Sequence, residues 1–235
     1  MKKILKNIIP NKFWKDPDSI YSLKFRKYAD TYYSQEGEDI LLSRIFENKK
    51  TGFFVDVGAH HPQRFSNTYL LYKRGWHGIN IDPLPGGMKI FEKIRPRDTN
   101  LEIAVSEKEQ ELTYYMFSEP ALNGFSKNIS MQRQNEDCKI KNMIKVSSLP
   151  LAKILANHHP KKQIIDLLNV DVEGLDLEVL KSNDWRIYRP KIILVEILHS
   201  GLSTIKTEPI YIFLEKMGYS LVSKLLHTCI FKSSD

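Results

Sequence analysis

An α/β fold is predicted for this 235-residue sequence: a mostly parallel sheet, helices on both faces, and a C-terminal antiparallel hairpin. Three observations predict it. Short apolar runs alternate with amphipathic, helix-length segments, as β-α units require. The apolar runs are near-continuous, as in strands buried on both faces. Four of the strands end in an acid: Asp56, Asp82, Asp171 and Glu196. Ligands of such sheets lie at the carboxyl ends of the strands, and an acid is costly to bury there unless it binds something.

The elements follow in order. The first thirty residues are basic, aromatic and irregular, and read as an arm or short helices. Acids Glu36, Glu38 and Asp39 precede apolar positions Ile40, Leu41, Leu42, Ile45 and Phe46 at helical spacing, and acids suit a helix N-terminus. Residues 53–57 form the first strand, 68–73 a helix, 77–81 the second strand and 88–94 a helix. Residues 101–105 read as a third strand and 112–117 as another. Residues 118–145 are polar and poorly periodic, a long loop of the kind that carries function. Residues 151–157 are helical, 164–170 a strand, 175–180 a helix, 191–196 a strand and 209–217 a helix. Residues 219–225 and 228–232 make the closing hairpin.

Composition narrows the function classes. Hydrophobic residues make up 42% of the chain, enough for a full core, and net charge is +7. Part of that excess is local: Lys2, Lys3, Lys6, Lys12 and Lys15 precede the first acid, Asp16. A solvated arm accounts for them, and no basic-aromatic interleaving continues past Trp14, so nucleic acid is not the expected partner. No apolar run approaches the roughly 20 residues of a membrane span, and Pro10 ends the apolar start too early for a signal peptide. Cys138 and Cys229 are isolated, which fits a reducing cytoplasm.

The stretch Val55-Asp56-Val57-Gly58-Ala59-His60-His61-Pro62 selects the cofactor. A strand running into Gly58, with Asp82 closing the next strand, suits an adenosine ribose. ATP through a P-loop is excluded, because the motif is absent. A dinucleotide needs a second glycine for close approach of the pyrophosphate; His60 stands there. S-adenosylmethionine carries no phosphate and needs one tight turn with a nearby carboxylate such as Asp56. A nicotinamide oxidoreductase and a nucleic-acid methyltransferase are the rival readings, with a non-catalytic cofactor-binding protein as a third.

The motifs as a set resemble the FkbM family of S-adenosylmethionine-dependent methyltransferases. The matching residues are Ser34-Gln35, Gly37-Glu38-Asp39, residues 52–59, Pro62, Ser66-Asn67-Thr68, Gly75-Trp76, Gly78-Ile79 and Asp82-Pro83. Arg95-Pro96, Ala104-Val105, residues 171–174, Arg189-Pro190-Lys191 and Val195-Glu196 complete them. Order and spacing hold from about residue 34 to about residue 198. Asp82 and Asp176 stand where the family more often has Glu. Residues 1–30 and 118–145 have no clear match. The resemblance implies a seven-stranded, Rossmann-like class I methyltransferase sheet in a domain over 34–235, following an arm over 1–33. It implies O-methylation of a small molecule, with a sugar hydroxyl or sugar-linked group of a surface polysaccharide or secondary metabolite as acceptor. Gln35, Asp56, Gly58, Ala59, Asn67, Asp82, Pro83 and Ala104 are the implied cofactor contacts. A carbohydrate or nucleotide-sugar partner follows, and homodimer formation is left open.

O-methylation needs an aligned acceptor and loss of its hydroxyl proton, to a general base or with the help of a divalent metal. His61 is the preferred base among the histidines after the turn, with His60 beside it and His199 a third candidate. Asp171 and Glu196 end consecutive strands and could hold Mg²⁺ or Mn²⁺ through oxygen, or Asp171 could itself be the base. Glu173 opens a helix, where a structural and a catalytic role compete. Ser66-Asn67-Thr68 reads as a helix cap or a cofactor contact. Arg95 and Arg97 read as surface charges with a phosphate contact open to them, and His158 and His159 as surface residues.

Overall fold

The structure is a computed structural model that describes residues 30–135, 138–198 and 200–234. Residues 33–235 form one compact unit. Most of the expected basic arm, with its lysine cluster, lies outside the described residues.

The main sheet has seven strands. In chain order they are β1 (Phe53–Val57), β2 (His77–Ile81), β3 (Thr99–Leu101), β7 (Leu167–Val170), β8 (Ile192–Glu196), β9 (Tyr219–Lys224) and β10 (Thr228–Ser233). Their spatial order is β3-β2-β1-β7-β8-β10-β9. The first five are mutually parallel, and β10 runs antiparallel to both β8 and β9. A smaller sheet holds β4 (Ala104–Val105), β5 (Gln110–Phe117) and β6 (Ile140–Leu149) in the order β4-β6-β5.

Strand alternation sorts the core into two layers. Phe53, Val55 and Val57 of β1 join Leu168, Val170, Ile193 and Val195 on one face. They pack there against helices α5 (Leu151–His158), α6 (Asp176–Lys181) and α7 (Pro209–Lys216). Phe54, Leu167, Ile192 and Leu194 face the other way, against α1 (Glu38–Ile45) and α2 (Tyr69–Lys73), with Leu42, Leu71 and Trp76 between them. Full burial of such side chains stabilises the fold by about 1.5–3 kcal/mol each. Helix α3 (Met88–Ile94) adds a small third cluster of Met88 and Phe91 with Ala59. The alternation that sends Val55 and Val57 into one layer puts Asp56 on the other face, opposite Asn169 in the register of β1 with β7.

Three expectations change. The strand expected over 101–105 is two: Thr99–Leu101 extends the main sheet beside β2, while Ala104–Val105 pairs with β6. The strand expected from Ile164 begins at Leu167; Ile164 itself is exposed. The 118–145 segment is not a loop. It carries a short 3₁₀ turn (Pro120–Leu122), helix α4 (Lys127–Arg133) and the first half of β6. That half of β6 is mostly exposed, with Met143 more than half open, so its sequence lacks the apolar run that marks a buried strand.

Candidate active site

β1 runs into a turn only glycine can make. Gly58 has φ +84°, and a Cβ there would lie 1.7 Å from the carbonyl oxygen of Asp171. The Gly58 and Ala59 amides donate to the Ile81 carbonyl at 2.9 and 3.1 Å, locking the turn to the end of β2. His60 follows at φ 51°, and its N–H donates to Asp82 at 3.0 Å. The other Asp82 oxygen accepts from the Leu84 N–H at 2.9 Å. Burial pushes this carboxyl up to about 6, with the two N–H donors pulling the other way. It keeps lone pairs free for a further donor.

Under the turn lies a buried polar network. Asp56 accepts from the Thr68 hydroxyl at 2.6 Å and from Asn169 Nδ2 at 2.8 Å. Asn67 donates in turn to Asn169 Oδ1 at 3.1 Å. Arg95 donates to Thr68 Oγ1 at 3.0 Å and pairs through Nε with Asp98 at 2.8 Å. Asp98 also accepts from the Gly78 amide and from Asn80. Burial raises the Asp56 carboxyl, and Arg95 offsets part of the rise. The expectation of a surface Arg95 is therefore wrong: it is 0% exposed and lies over the rings of Phe54, Tyr72 and Phe91. Its charge is held by Asp98 and three aromatic faces. Arg97 stacks on Tyr72 at 3.8 Å and donates to the Tyr72 carbonyl. Arg97 is exposed, as expected, and neither arginine lines the cleft over the strand ends. In the Ser66-Asn67-Thr68 triplet, Ser66 Oγ accepts from the Tyr69 N–H at the start of α2, and Ser66 and Asn67 both line the cleft.

The cleft over the strand ends encloses about 310 Å³. Gln35, Asp56, Gly58, Ala59, Asn67, Asp82 and Pro83 all line it. Ala104 does not; it is buried in the small sheet beside Ser148. The roof comes from Tyr114 of β5 and, in the segment expected to be a loop, from the 3₁₀ turn, Asn123 and Phe125. Phe125 packs on Tyr114 with ring centres 5.0 Å apart, and Arg64 on the far rim pairs with Glu119 at 2.8 Å.

At the ends of β7 and β8 the carboxylates of Asp171, Glu173 and Glu196 each bring an oxygen within 4.8 Å of the others. Asp171 and Glu196 were expected together; the structure adds Glu173. A left-handed pair, Glu173 (φ 56°) and Gly174 (φ 104°), turns the chain back here. Asp176 holds that turn by accepting from the N–H groups of Val172 and Gly174. Arg133 of α4 pairs with Glu173 at 2.5 Å. Burial raises all three carboxyls, Asp171 well above its ordinary value and Glu196 to about 8, and mutual repulsion adds to the rise for Asp171 and Glu196. Glu196 Oε2 is buried with no hydrogen-bond partner among the described residues. Oxygen donors clustered this way suit a hard divalent cation, or a shared proton.

The histidines divide differently from expectation. His60, not His61, lines the cleft. Burial, more than the nearby Arg64, pushes its ring down to about 4, so it stays neutral, and its Nε2 is buried without a partner among the described residues. His61 Nδ1 accepts from the N–H groups of Gln63 and Arg64 at 3.1 and 2.9 Å. The lone pair that a general base needs is thus spent on a turn. His199 lies outside the described residues. His158 is exposed, but His159 packs its ring between Phe53 and Tyr188.

Sequence reasoning gave the 36–38 segment no partner in the C-terminal hairpin, and the structure supplies one beside the cleft. Glu36 accepts from the His227 backbone N–H at 3.0 Å and faces His227 Nδ1 at 2.6 Å, and Glu38 accepts from the Thr228 hydroxyl. Burial works against the Glu36 carboxylate, but the His227 and Thr228 donors bring it below its ordinary value. His227 and Gln35 both line the cleft. The acids of 36–39 read as helix-dipole partners because their true partners lie in the distant hairpin. Asn169 was also missed: one polar residue in an apolar run carries no local signal.

A family model for the methyltransferase FkbM domain matches residues 56–221. The comparison with curated proteins found no match. The family match decides between the chemistries that the glycine turn left open, in favour of methyl over hydride transfer.

Proposed function

The chain belongs to the FkbM family of S-adenosylmethionine-dependent methyltransferases, and on that premise we propose that it O-methylates a sugar hydroxyl or sugar-linked group. The observation that carries the reading is one cleft that unites the Gly58 turn, Asp82 and the three carboxylates. The donors fit the cofactor. Asp82 keeps acceptor capacity for a ribose diol, and the Gly58 turn leaves no room for a side chain where the chain passes Asp171. Asn67, Gln35 and Asp56 offer polar contacts toward the amino-acid end.

When bound, S-adenosylmethionine supplies an electrophilic methyl on sulfur. The protein must then align the acceptor and take its proton. Asp171 and Glu196 are the groups at hand for the proton, and with Glu173 they would hold Mg²⁺ or Mn²⁺ if a cation assists. The setting proposed is the cytoplasm, supported by two unpaired cysteines; no helix among the described residues is long and apolar enough to cross a membrane. Capsule, lipopolysaccharide or secondary-metabolite assembly is the proposed context. Nucleic acid is disfavoured, because acids rather than cations gather at the reacting end.

Calorimetry with S-adenosylmethionine tests the reading. The expected result is one site, weakened at least ten-fold by Asp82→Ala, and methyl transfer to a hydroxylated sugar that Asp171→Asn suppresses. Absence of cofactor binding by the folded protein overturns it.

A further inference from the structure

A second cavity of about 690 Å³ opens beside the cofactor cleft and shares three lining residues with it, Arg133, Glu196 and Leu198. The two spaces therefore meet at the carboxylate cluster. Helix α4 supplies one side through Ile129 and Arg133. The starts of α6 and α7 supply Leu177, Glu178, Pro209 and Ile210. We propose that this groove seats the methyl acceptor, and that the acceptor is a small hydroxylated molecule bearing a protonated amine, not a phosphate. This rests on the methyltransferase reading.

Position argues first. A cofactor held in the first cleft would meet its acceptor most directly from a space that joins that cleft at the carboxylates. The groove is the space that meets that cleft at Glu196, whose Oε2 is buried without a partner among the described residues. Charge argues second. Among the described residues the groove is lined by four acidic residues, Asp176, Glu178, Glu196 and Glu208, and one cation, Arg133. That cation is already engaged by Glu173, and Asp176 is engaged by backbone N–H groups. Glu178 and Glu208 have no such side-chain partners among the described residues. An anionic acceptor such as a sugar phosphate would meet uncompensated like charge, whereas an ammonium would be held. Shape argues third. Ile129, Leu177 and Ile210 give an apolar surface on which the C–H face of a sugar ring can lie, with polar groups around it.

Saturation-transfer NMR on the protein saturated with S-adenosylhomocysteine tests this with three probes: methyl α-glucosaminide, methyl α-glucoside and glucose 1-phosphate. The amine is expected to bind about ten-fold or more tightly than the neutral glycoside, and the phosphate not at all. Glu178→Gln with Glu208→Gln should erase that preference, with S-adenosylhomocysteine affinity and thermal midpoint unchanged. Ile129→Trp, which fills the groove, should abolish binding of the amine. The proposal is overturned if the phosphate binds as well as the amine, if the preference survives the double substitution, or if none of the probes binds. The same titration without S-adenosylhomocysteine reads the groove alone. A failure of cofactor binding therefore sinks the cofactor reading and still leaves this measurement to decide.

Discussion

Thr68 gives its hydroxyl proton to Asp56 at 2.6 Å while its oxygen accepts from the fully buried Arg95 at 3.0 Å. One hydroxyl thus couples the carboxylate below the cofactor turn to a guanidinium in the core. Arg95→Met should cost about 3–5 kcal/mol, because it leaves Asp98 buried and uncompensated. Thr68→Val should cost about 1–3 kcal/mol. Urea unfolding measures both, and cofactor affinity should fall in Thr68→Val even at temperatures where it is fully folded. A Thr68→Val protein of unchanged stability and affinity would remove this network from the site.

Gly58→Ala is expected to be among the most damaging single substitutions in the chain. Its Cβ meets backbone, not a side chain that can swing away, and φ +84° is itself unfavourable for alanine. A loss of at least about 3 kcal/mol, or failure to accumulate folded protein, is the expected outcome of circular dichroism melts. Gly86→Ala, where a Cβ has open space around it, should cost only the strain of its positive φ, and it serves as the control.

Asp82 should make stability and cofactor affinity move in opposite directions with pH. Burial lifts its folded value to about 6 from an ordinary 3.8. A raised acid contributes stability that is fully present below its unfolded value and is lost as pH rises through the folded one. Between pH 4 and pH 6 the cofactor-free protein should therefore lose stability, by on the order of 3 kcal/mol from this group. Over the same interval S-adenosylmethionine affinity should rise, because the ionised carboxylate is the better acceptor for the ribose. Asp82→Asn should flatten both profiles, as read by thermal shift and calorimetry across the range.

The carboxylate cluster separates metal-assisted from metal-free chemistry. If a cation sits among Asp171, Glu173 and Glu196, excess chelator should lower activity at least ten-fold, with Mg²⁺ or Mn²⁺ restoring it. Full activity in chelator would leave these groups the proton's destination alone. Asp171→Asn should in either case lower kcat by roughly 10²–10⁴.

His60 and His61 should behave unequally. His60→Ala removes a ring from the cleft wall and should weaken cofactor or acceptor binding several-fold. His61→Ala removes a turn acceptor and should cost about 1 kcal/mol of stability with kcat preserved. A large kcat loss in His61→Ala alone would reverse this assignment.

Much of the fold was legible in the chain. The bounds of β1 and β2, the glycine turn and the acids at the strand ends follow from local pattern, because an apolar run and a glycine each state their own requirement. β6 was illegible for the converse reason. Its residues alternate among solvent-facing positions and pair with β5 and β4 through backbone groups that any sequence provides.

By itself the sequence determined the parallel sheet, the place of the crevice and the identity of Asp56, Gly58, Asp82, Asp171 and Glu196 as its residues. Only the tertiary structure decided which neighbours those residues keep. Asn169 reaches Asp56 across 113 positions of chain, and Glu36 reaches His227 across 191. It also decided that Arg95 is interior, that His60 rather than His61 faces the cleft, and that Glu173 joins the acids. Periodicity reports whether a side chain is buried. Strand register and chain reversal decide what it is buried against, and that is set by contacts between segments far apart in sequence.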